Sequence, residues 1–170
     1  MNTLLCDDKG VLQKQLREKL LSLPLPIFER LVLKVIQQSG YSNVRLVEKM
    51  DSRGRTLIGG LDLKAYCQTD ISQSLTIAQI KRHKAPVPRR FVDELRGAML
   101  RTGAKHGLLI TTLACSKAAH QAAQAIPMLP ITILEGNSLI DLLIDRRIGV
   151  EQQTVQRLVL SDEYFRKLQG

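Results

Sequence analysis

The chain has no tryptophan, and its aromatic content is only 4%. So few rings argue against a protein that binds single strands by stacking bases on aromatic side chains. Cysteine is scarce too. Cys6, Cys67 and Cys115 are odd in number and far apart, which excludes a disulfide framework and a zinc pattern of paired cysteines. A reducing cytoplasm is the expected home. Long apolar runs are missing, and none approaches the ~20 residues of a membrane span. The opening residues, MNTLLCDDKG, lack a basic stretch followed by a long apolar one, so no secretory signal is read there. Internal repeats and low-complexity segments are absent as well.

What is present points elsewhere. A chain of 170 residues can bury a substantial core as one domain. Lysine and arginine number 25 against 16 acidic residues, a net charge of +9. That excess favours a polyanionic partner without identifying one. With aromatics so rare, contact with the phosphates of double-stranded DNA is expected rather than base stacking.

Apolar spacing predicts a helix over 11–22, broken at Leu23-Pro24-Leu25-Pro26, and a second over 27–39 ended by Gly40. Residues 43–49 alternate like a strand, and DSRGR (51–55) reads as a turn. Residues 57–67 and 75–81 read as two strands of a hairpin. A helix over 89–102 ends at Gly103. GLLITT (107–112) and the stretch after Pro130, ITIL, read as buried strands, and Ser116 as the cap of an alanine-rich helix between them. Asn137 or Ser138 is expected to cap the helix SLIDLLIDRRI. A strand over 153–160 and a helical tail over 162–168 complete the order. This succession predicts an α/β fold, a mixed sheet with helices on both faces.

The hairpin carries the chemistry. Alternation puts Gln79 and Lys81 on one face of their strand and Ile80 on the other. Asp62 lies on the partner strand, with Leu61, Leu63, Ala65 and Cys67 facing away from it. Hydrolysis of a phosphodiester needs a hard cation, oxygen ligands to hold it, and a positive group to orient the nucleophile. Asp62 and Gln79 offer side-chain oxygens, the Ile80 carbonyl a third, and Lys81 the positive group. Mg²⁺, which keeps several waters and needs few protein ligands, suits so sparse a set. On spacing alone D-x(16)-Q-x-K is a weak pattern, and a surface hairpin with incidental polar residues explains it better. Two neighbours shift the balance. Gly59-Gly60 permits close backbone approach before Asp62, and a basic run follows Lys81.

Five ordered segments then carry a resemblance. PIFERLVLKVIQQSGYSNV is similar to an opening helix with F-E, an apolar stripe and G-Y/F-x-V. IGGLD resembles G-G-I-D, and IAQIKRHK a Q-x-K-R/K strand. VDELRGAMLRTGAKHGLLITT resembles a helix and strand ending in I-T-T. ITILEGNSLIDLLIDRRIGV resembles I-x-L-I-D-G-x-x-L-x-x-L followed by G-V. Together with the ending SDEYF, they resemble the catalytic domain of the Mrr-type restriction endonucleases, in the PD-(D/E)xK nuclease superfamily, from about residue 24 onward.

The resemblance implies a restriction-endonuclease-like three-layer fold, with a central mixed β-sheet flanked by helices, over 24–170. Residues 1–23 would form a helical extension. By position, Asp62 matches the metal-binding Asp, Gln79 the second ligand and Lys81 the catalytic Lys. Glu29 enters only through the resemblance, as the acid on the first helix that helps arrange metal-bound water. Gln where other members carry Glu or Asp lowers the site's charge by one, so metal affinity is expected to be modest and dependent on DNA. Leu63 stands where the family commonly has Gly, and LACS follows I-T-T in place of a small polar run.

The implied activity is a Mg²⁺-dependent DNA endonuclease, with Mn²⁺ as a substitute, restricting foreign or modified DNA. A non-cleaving DNA-binding module of the same fold is the alternative from another class, and a junction-resolving nuclease the alternative among enzymes. In KRHKAPVPRR (81–90), Arg82, Lys84, Arg89 and Arg90 are candidates for phosphate contacts, a solvated loop being an equal account. His83 reads as a phosphate contact or an exposed residue rather than a base or metal ligand; Lys64 reads equally as a phosphate contact or a surface charge, and Thr111 and Thr112 equally as hydrogen bonders near the site or strand ends. His106, His120, Asp93, Glu94, Asp141, Cys67 and Cys115 are adequately explained as surface or core residues. Cutting both strands calls for a homodimer. The 23 residues ahead of the match are too few for a DNA-reading domain, so target recognition sits elsewhere or on a partner, the chain is a fragment, or it recognises DNA differently.

Overall fold

A computed structural model describes residues 6–48, 59–68, 71–83, 85–127, 129–153 and 162–167. Helices α1 (Cys6–Ser22) and α2 (Leu25–Gln38) precede strands β1 (Tyr41–Leu46), β2 (Leu63–Gln68) and β3 (Gln73–Lys81). Then follow α3 (Arg90–Thr102), β4 (His106–Thr111), α4 (Lys117–Gln124), β5 (Ile131–Glu135), α5 (Gly136–Asp145) and α6 (Asp162–Lys167). The five strands lie in sequence order. Pairing is antiparallel from β1 to β3 and parallel from β3 to β5. The sheet is therefore mixed, as the sequence predicts.

Its two faces bury separate cores. On one, Leu16 and Leu20 of α1, Phe28, Val32 and Val35 of α2 and Leu139, Ile140 and Leu143 of α5 pack on Leu63, Ala65, Ala78, Ile80 and Ile110. On the other, Phe91, Val92, Leu95 and Met99 of α3 and Ala119, Ala122 and Ala123 of α4 pack on Ile77, Leu109 and Ile131. Burying such a side chain fully contributes about 1.5–3 kcal/mol. α1 shares the first of these cores, so residues 6–22 pack as part of the same body as the sheet. β3 is the middle strand, covered on both faces, and Thr76 through Ile80 are buried. A polar residue there, Gln79, is consequently conspicuous.

Several local expectations hold. Pro26 sits in the first turn of α2, Gly103 ends α3 in the left-handed region, and the Ser116 hydroxyl accepts from Ala119 N–H to cap α4. Others are corrected. The strand expected from residue 57 begins at Leu63, because Gly59 and Gly60 form a turn and Asp62 precedes the strand. Leu61 and Leu63 consequently join opposite cores instead of one face. Neither Asn137 nor Ser138 caps α5; the helix starts at Gly136 with Glu135 at the cap position and no side-chain cap bond. Asn137 Oδ1 instead accepts from the Arg17 guanidinium, and Asp141 accepts from Gln13 Nε2 at 2.7 Å, so these polar groups hold α1 to α5. Cys67 is only half-buried. The expected turn at 51–55, and all but the first residue of the strand expected over 153–160, lie outside the described residues. No helix among the described residues is long and apolar enough to cross a membrane.

Candidate active site

The site forms where the antiparallel ladder of β2 and β3 ends. Leu63 pairs with Ala78, and one residue earlier Asp62 N–H donates to the Ala78 carbonyl at 2.9 Å. Beyond that point the chain leaves β3 through the Gly59-Gly60 turn, and the next N–H of β3 on that side, that of Ile80, loses its main-chain acceptor. The Asp62 carboxylate replaces it: Oδ2 accepts from Ile80 N–H at 2.8 Å. The Asp62 carbonyl accepts from Val47 N–H at 2.9 Å, which ties the same residue toward β1. Asp62 is thus held through both its backbone and its side chain by these three hydrogen bonds.

Gly60 makes this geometry possible. Its φ is +79°, and a Cβ added there would lie 2.9 Å from the Glu94 carbonyl oxygen of α3. The turn therefore presses backbone to backbone on α3, the close approach that the Gly-Gly pair predicts. Arg101 Nη2 donates to the Gly59 carbonyl at 3.0 Å and secures the turn from the same helix.

Asp62, Ile80 and Lys81 line one cavity of about 250 Å³, together with Leu25, Arg82 and His83. Lys81 Nζ stands 4.5 Å from the centre of the Phe91 ring, and the Arg90 guanidinium 4.8 Å from it. His83 meets the same ring edge-on at 5.3 Å. Phe91, itself 7% exposed, is a fixed aromatic platform for the cationic groups at the mouth of the site.

Gln79 precedes Ile80 in β3 but is buried, 1% exposed, and is not a lining residue of the cavity. Its Nε2 donates to Glu94 Oε2 at 3.2 Å, while its Oε1 has no hydrogen-bond partner among the described residues. A buried carbonyl oxygen left bare costs about 1–3 kcal/mol, which makes it a fit donor for an oxygen-seeking cation. No three His, Cys, Asp or Glu side chains come together to hold a metal among the described residues. The oxygens on offer to a divalent cation here are those of Asp62, Gln79 and the Ile80 carbonyl, a sparse set that suits a hard ion retaining several waters. Glu29 lies one turn beyond Leu25 on α2, half-buried, and is not a lining residue of the cavity.

The basic run divides. Arg82 Nη1 donates to the carbonyls of Leu21 and Leu23 at 3.0 and 2.5 Å, so it closes the C-terminal end of α1. Arg89 is exposed and pairs with Asp93 at 3.2 Å. Lys84 lies outside the described residues. Glu94, which sequence reasoning set aside as a surface charge, and Glu135, which it did not single out, have defined partners. Glu94 is exposed yet reaches Gln79. Glu135 accepts from Cys115 N–H and contacts His120 Nε2 at 3.2 Å. Since Val87 forms a bridge with Cys115, this carboxylate anchors the far end of the basic loop. Burial first, and the bond to and charge of Glu135 next, push the Cys115 thiol up from 9.0 to about 12. It is an inert core thiol.

A family model of restriction endonucleases, that of the Mrr catalytic domain, matches residues 20–143. The chain belongs to this family. Its α/β sheet is the scaffold of an Mrr-type restriction endonuclease catalytic domain. Over 148 residues it is 28% identical to the type IV methyl-directed restriction enzyme EcoKMrr of Escherichia coli strain K12, a match that covers 87% of this chain and 47% of that enzyme. Among solved structures it resembles the DNA modification-dependent restriction endonuclease AspBHI, with a TM-score of 0.60, 17% identity and coverage of 84% of this chain and 36% of that one. It also resembles the MspJI restriction endonuclease solved with a 27-mer oligonucleotide, with a TM-score of 0.53, 19% identity and coverage of 85% and 32%. At these identities the two structures speak for the fold. The chain spans about half the length of the curated relative and about a third of these structural neighbours.

Proposed function

We propose that this Mrr-type domain hydrolyses phosphodiester bonds of double-stranded DNA with Mg²⁺, Mn²⁺ serving as a substitute, at the cavity of Asp62, Ile80 and Lys81. The observation that carries the reading is the Asp62 carboxylate bonded to Ile80 N–H in the same cavity as Lys81, and the bare Oε1 of Gln79, one residue before Ile80 in β3, supports it. Each of these groups comes from a rigid end of a buried sheet, which is where a site that must hold a phosphate within fractions of an ångström belongs.

Asp62, Gln79 Oε1 and the Ile80 carbonyl would hold the ion. Bound there, a divalent cation supplies Lewis-acid polarisation of the scissile phosphate and acidifies water. Asp62, fixed through Oδ2, keeps its carboxylate at the cavity wall without having to reorganise. Lys81 directs its ammonium at the attacking water and at the charge that builds on the phosphoryl oxygens. Glu29 orients water from the α2 side. Arg89, Arg90 and Lys84 contact backbone phosphates beyond the scissile bond, in keeping with the net charge of +9. Arg82, spent on α1, contributes less than its neighbours.

The substrate reading is restriction of foreign or modified DNA. It draws on the similarity to a methyl-directed enzyme. Target reading would be the task of a further domain or partner, and cutting of both strands that of a homodimer.

The test is cleavage of supercoiled plasmid, methylated and unmethylated, with Mg²⁺ or EDTA, by the wild type and by Lys81→Ala. The expected result is metal-dependent nicking or linearisation that Lys81→Ala loses while its circular dichroism stays native. Cleavage by the folded variant, or cleavage in EDTA, would remove Lys81 and the metal from the mechanism. A difference between the two plasmids would identify a modification preference.

A further inference from the structure

We infer that Glu94 is a positioning residue that sets which end of the Gln79 amide faces the cation. The inference rests on the reading of Asp62 and Gln79 as metal-holding groups.

The two ends of a glutamine amide have nearly the same shape and opposite polarity. In a site that is 1% exposed, shape cannot decide which end points where; hydrogen bonding does. Glu94 Oε2 lies 3.2 Å from Gln79 Nε2. A carboxylate only accepts, so it can face the NH₂ end and not the oxygen. With the nitrogen committed to Glu94, Oε1 takes the other place of the amide, and it is this oxygen that has no partner among the described residues. Reversal of the amide would set two oxygens against each other and leave a donor where a cation needs an acceptor. An acid at position 79 would need no such control, since both its ends are oxygens. Gln79 does.

The same residue supports the other half of the site. The Glu94 backbone carbonyl is the surface on which Gly60 rests, at 2.9 Å from where a Cβ would stand. Gly60 leads directly into Asp62. One residue of α3 is therefore in contact with Gln79 through its side chain and with the turn before Asp62 through its backbone. Sequence reasoning passes over Glu94 because 15 residues separate it from Gln79 and its exposure resembles that of any surface acid.

The test compares Glu94→Gln with Glu94→Ala in the full chain. Both remove the charge, and only Gln keeps an acceptor oxygen that an exposed side chain can turn toward Gln79. Binding of Mn²⁺ is read by electron paramagnetic resonance with no turnover, and the Mg²⁺ concentration for half-maximal plasmid cleavage is read beside it. Glu94→Ala should weaken Mn²⁺ binding and raise the Mg²⁺ requirement roughly 10- to 100-fold, the range for loss of a group that orients a metal ligand. Glu94→Gln should stay close to the wild type. Equal values for the two variants, whether both native or both weakened, would overturn the positioning role. Asp62→Ala and Gln79→Ala separate this from failure of the underlying reading. If they lose Mn²⁺ and Glu94→Ala does not, only the role of Glu94 falls; if they bind as the wild type does, the metal site and the role of Glu94 fall together.

Discussion

Replacing Gly60 by alanine should cost the domain more than the same change at Gly40 or Gly59. Two effects add. At φ +79° an alanine occupies the left-handed region, which costs about 1–2 kcal/mol. Its Cβ would also stand 2.9 Å from the Glu94 carbonyl oxygen and 3.1 Å from the carbonyl carbon. Both are helix backbone and cannot swing aside, and forced overpacking of this kind costs about 1–3 kcal/mol. The sum is about 2–5 kcal/mol. With a urea m-value of about 2 kcal/mol/M, the unfolding midpoint should fall by roughly 1–2.5 M.

Two other glycines separate the terms. Gly40 has φ +88° and open space around it, so Gly40→Ala should show the backbone cost alone. Gly59 has open space and no positive φ, so Gly59→Ala should be near neutral. Urea unfolding followed by circular dichroism measures all three. The predicted order of loss is Gly60, then Gly40, then Gly59. A Gly60→Ala midpoint equal to that of Gly40→Ala would refute the backbone contact with α3. Because Asp62 is two residues on, Gly60→Ala should also cleave DNA less than its folded fraction allows in the absence of urea.

Phe91→Leu keeps the apolar bulk in the core but removes the ring beneath Lys81. Loss of a cation–π contact of about 0.5–2 kcal/mol from the transition state should slow cleavage roughly two- to thirtyfold, with little change in substrate KM; an unchanged rate would mean that the ring does not position Lys81. Cys115 should make stability depend on alkaline pH. Its folded value of about 12 lies above the ordinary 9.0, so the folded chain keeps a proton that the unfolded chain releases in that window. Stability should be unaffected below about pH 9 and fall as pH rises above it, and urea midpoints from about pH 8 to about pH 10 should fall less in Cys115→Ala than in the wild type. Joint substitution of Arg89 and Arg90 by alanine should lower the slope of log affinity against log salt by about two, measured by fluorescence anisotropy on a duplex; an unchanged slope would remove both from the phosphate contacts.

Much of the fold is legible along the chain because it depends on local chemistry. Phe28, Val32 and Val35 recur at helical spacing, Pro26 and Gly103 bound their helices, and Ser116 caps α4. These effects act over one or two turns, and a linear reading captures them. Gln79 and Lys81 are legible for a different reason: the alternation of β3 is enough to turn both toward α3, whereas Asp62, which precedes its strand, is not placed by alternation.

Tertiary structure decided the rest. That Asp62 stands outside the strand and serves as the acceptor for Ile80 N–H follows from where the chain leaves the sheet, which depends on α3 pressing on Gly60. That Arg82 closes α1, Asn137 binds Arg17, Glu135 holds Cys115, and Glu94 turns the amide of Gln79 depends on contacts between residues far apart in sequence. Polar side chains at such distances have no periodicity to announce them. Which partner each finds is settled only when the helices dock on the sheet and leave one acceptor within reach of one donor.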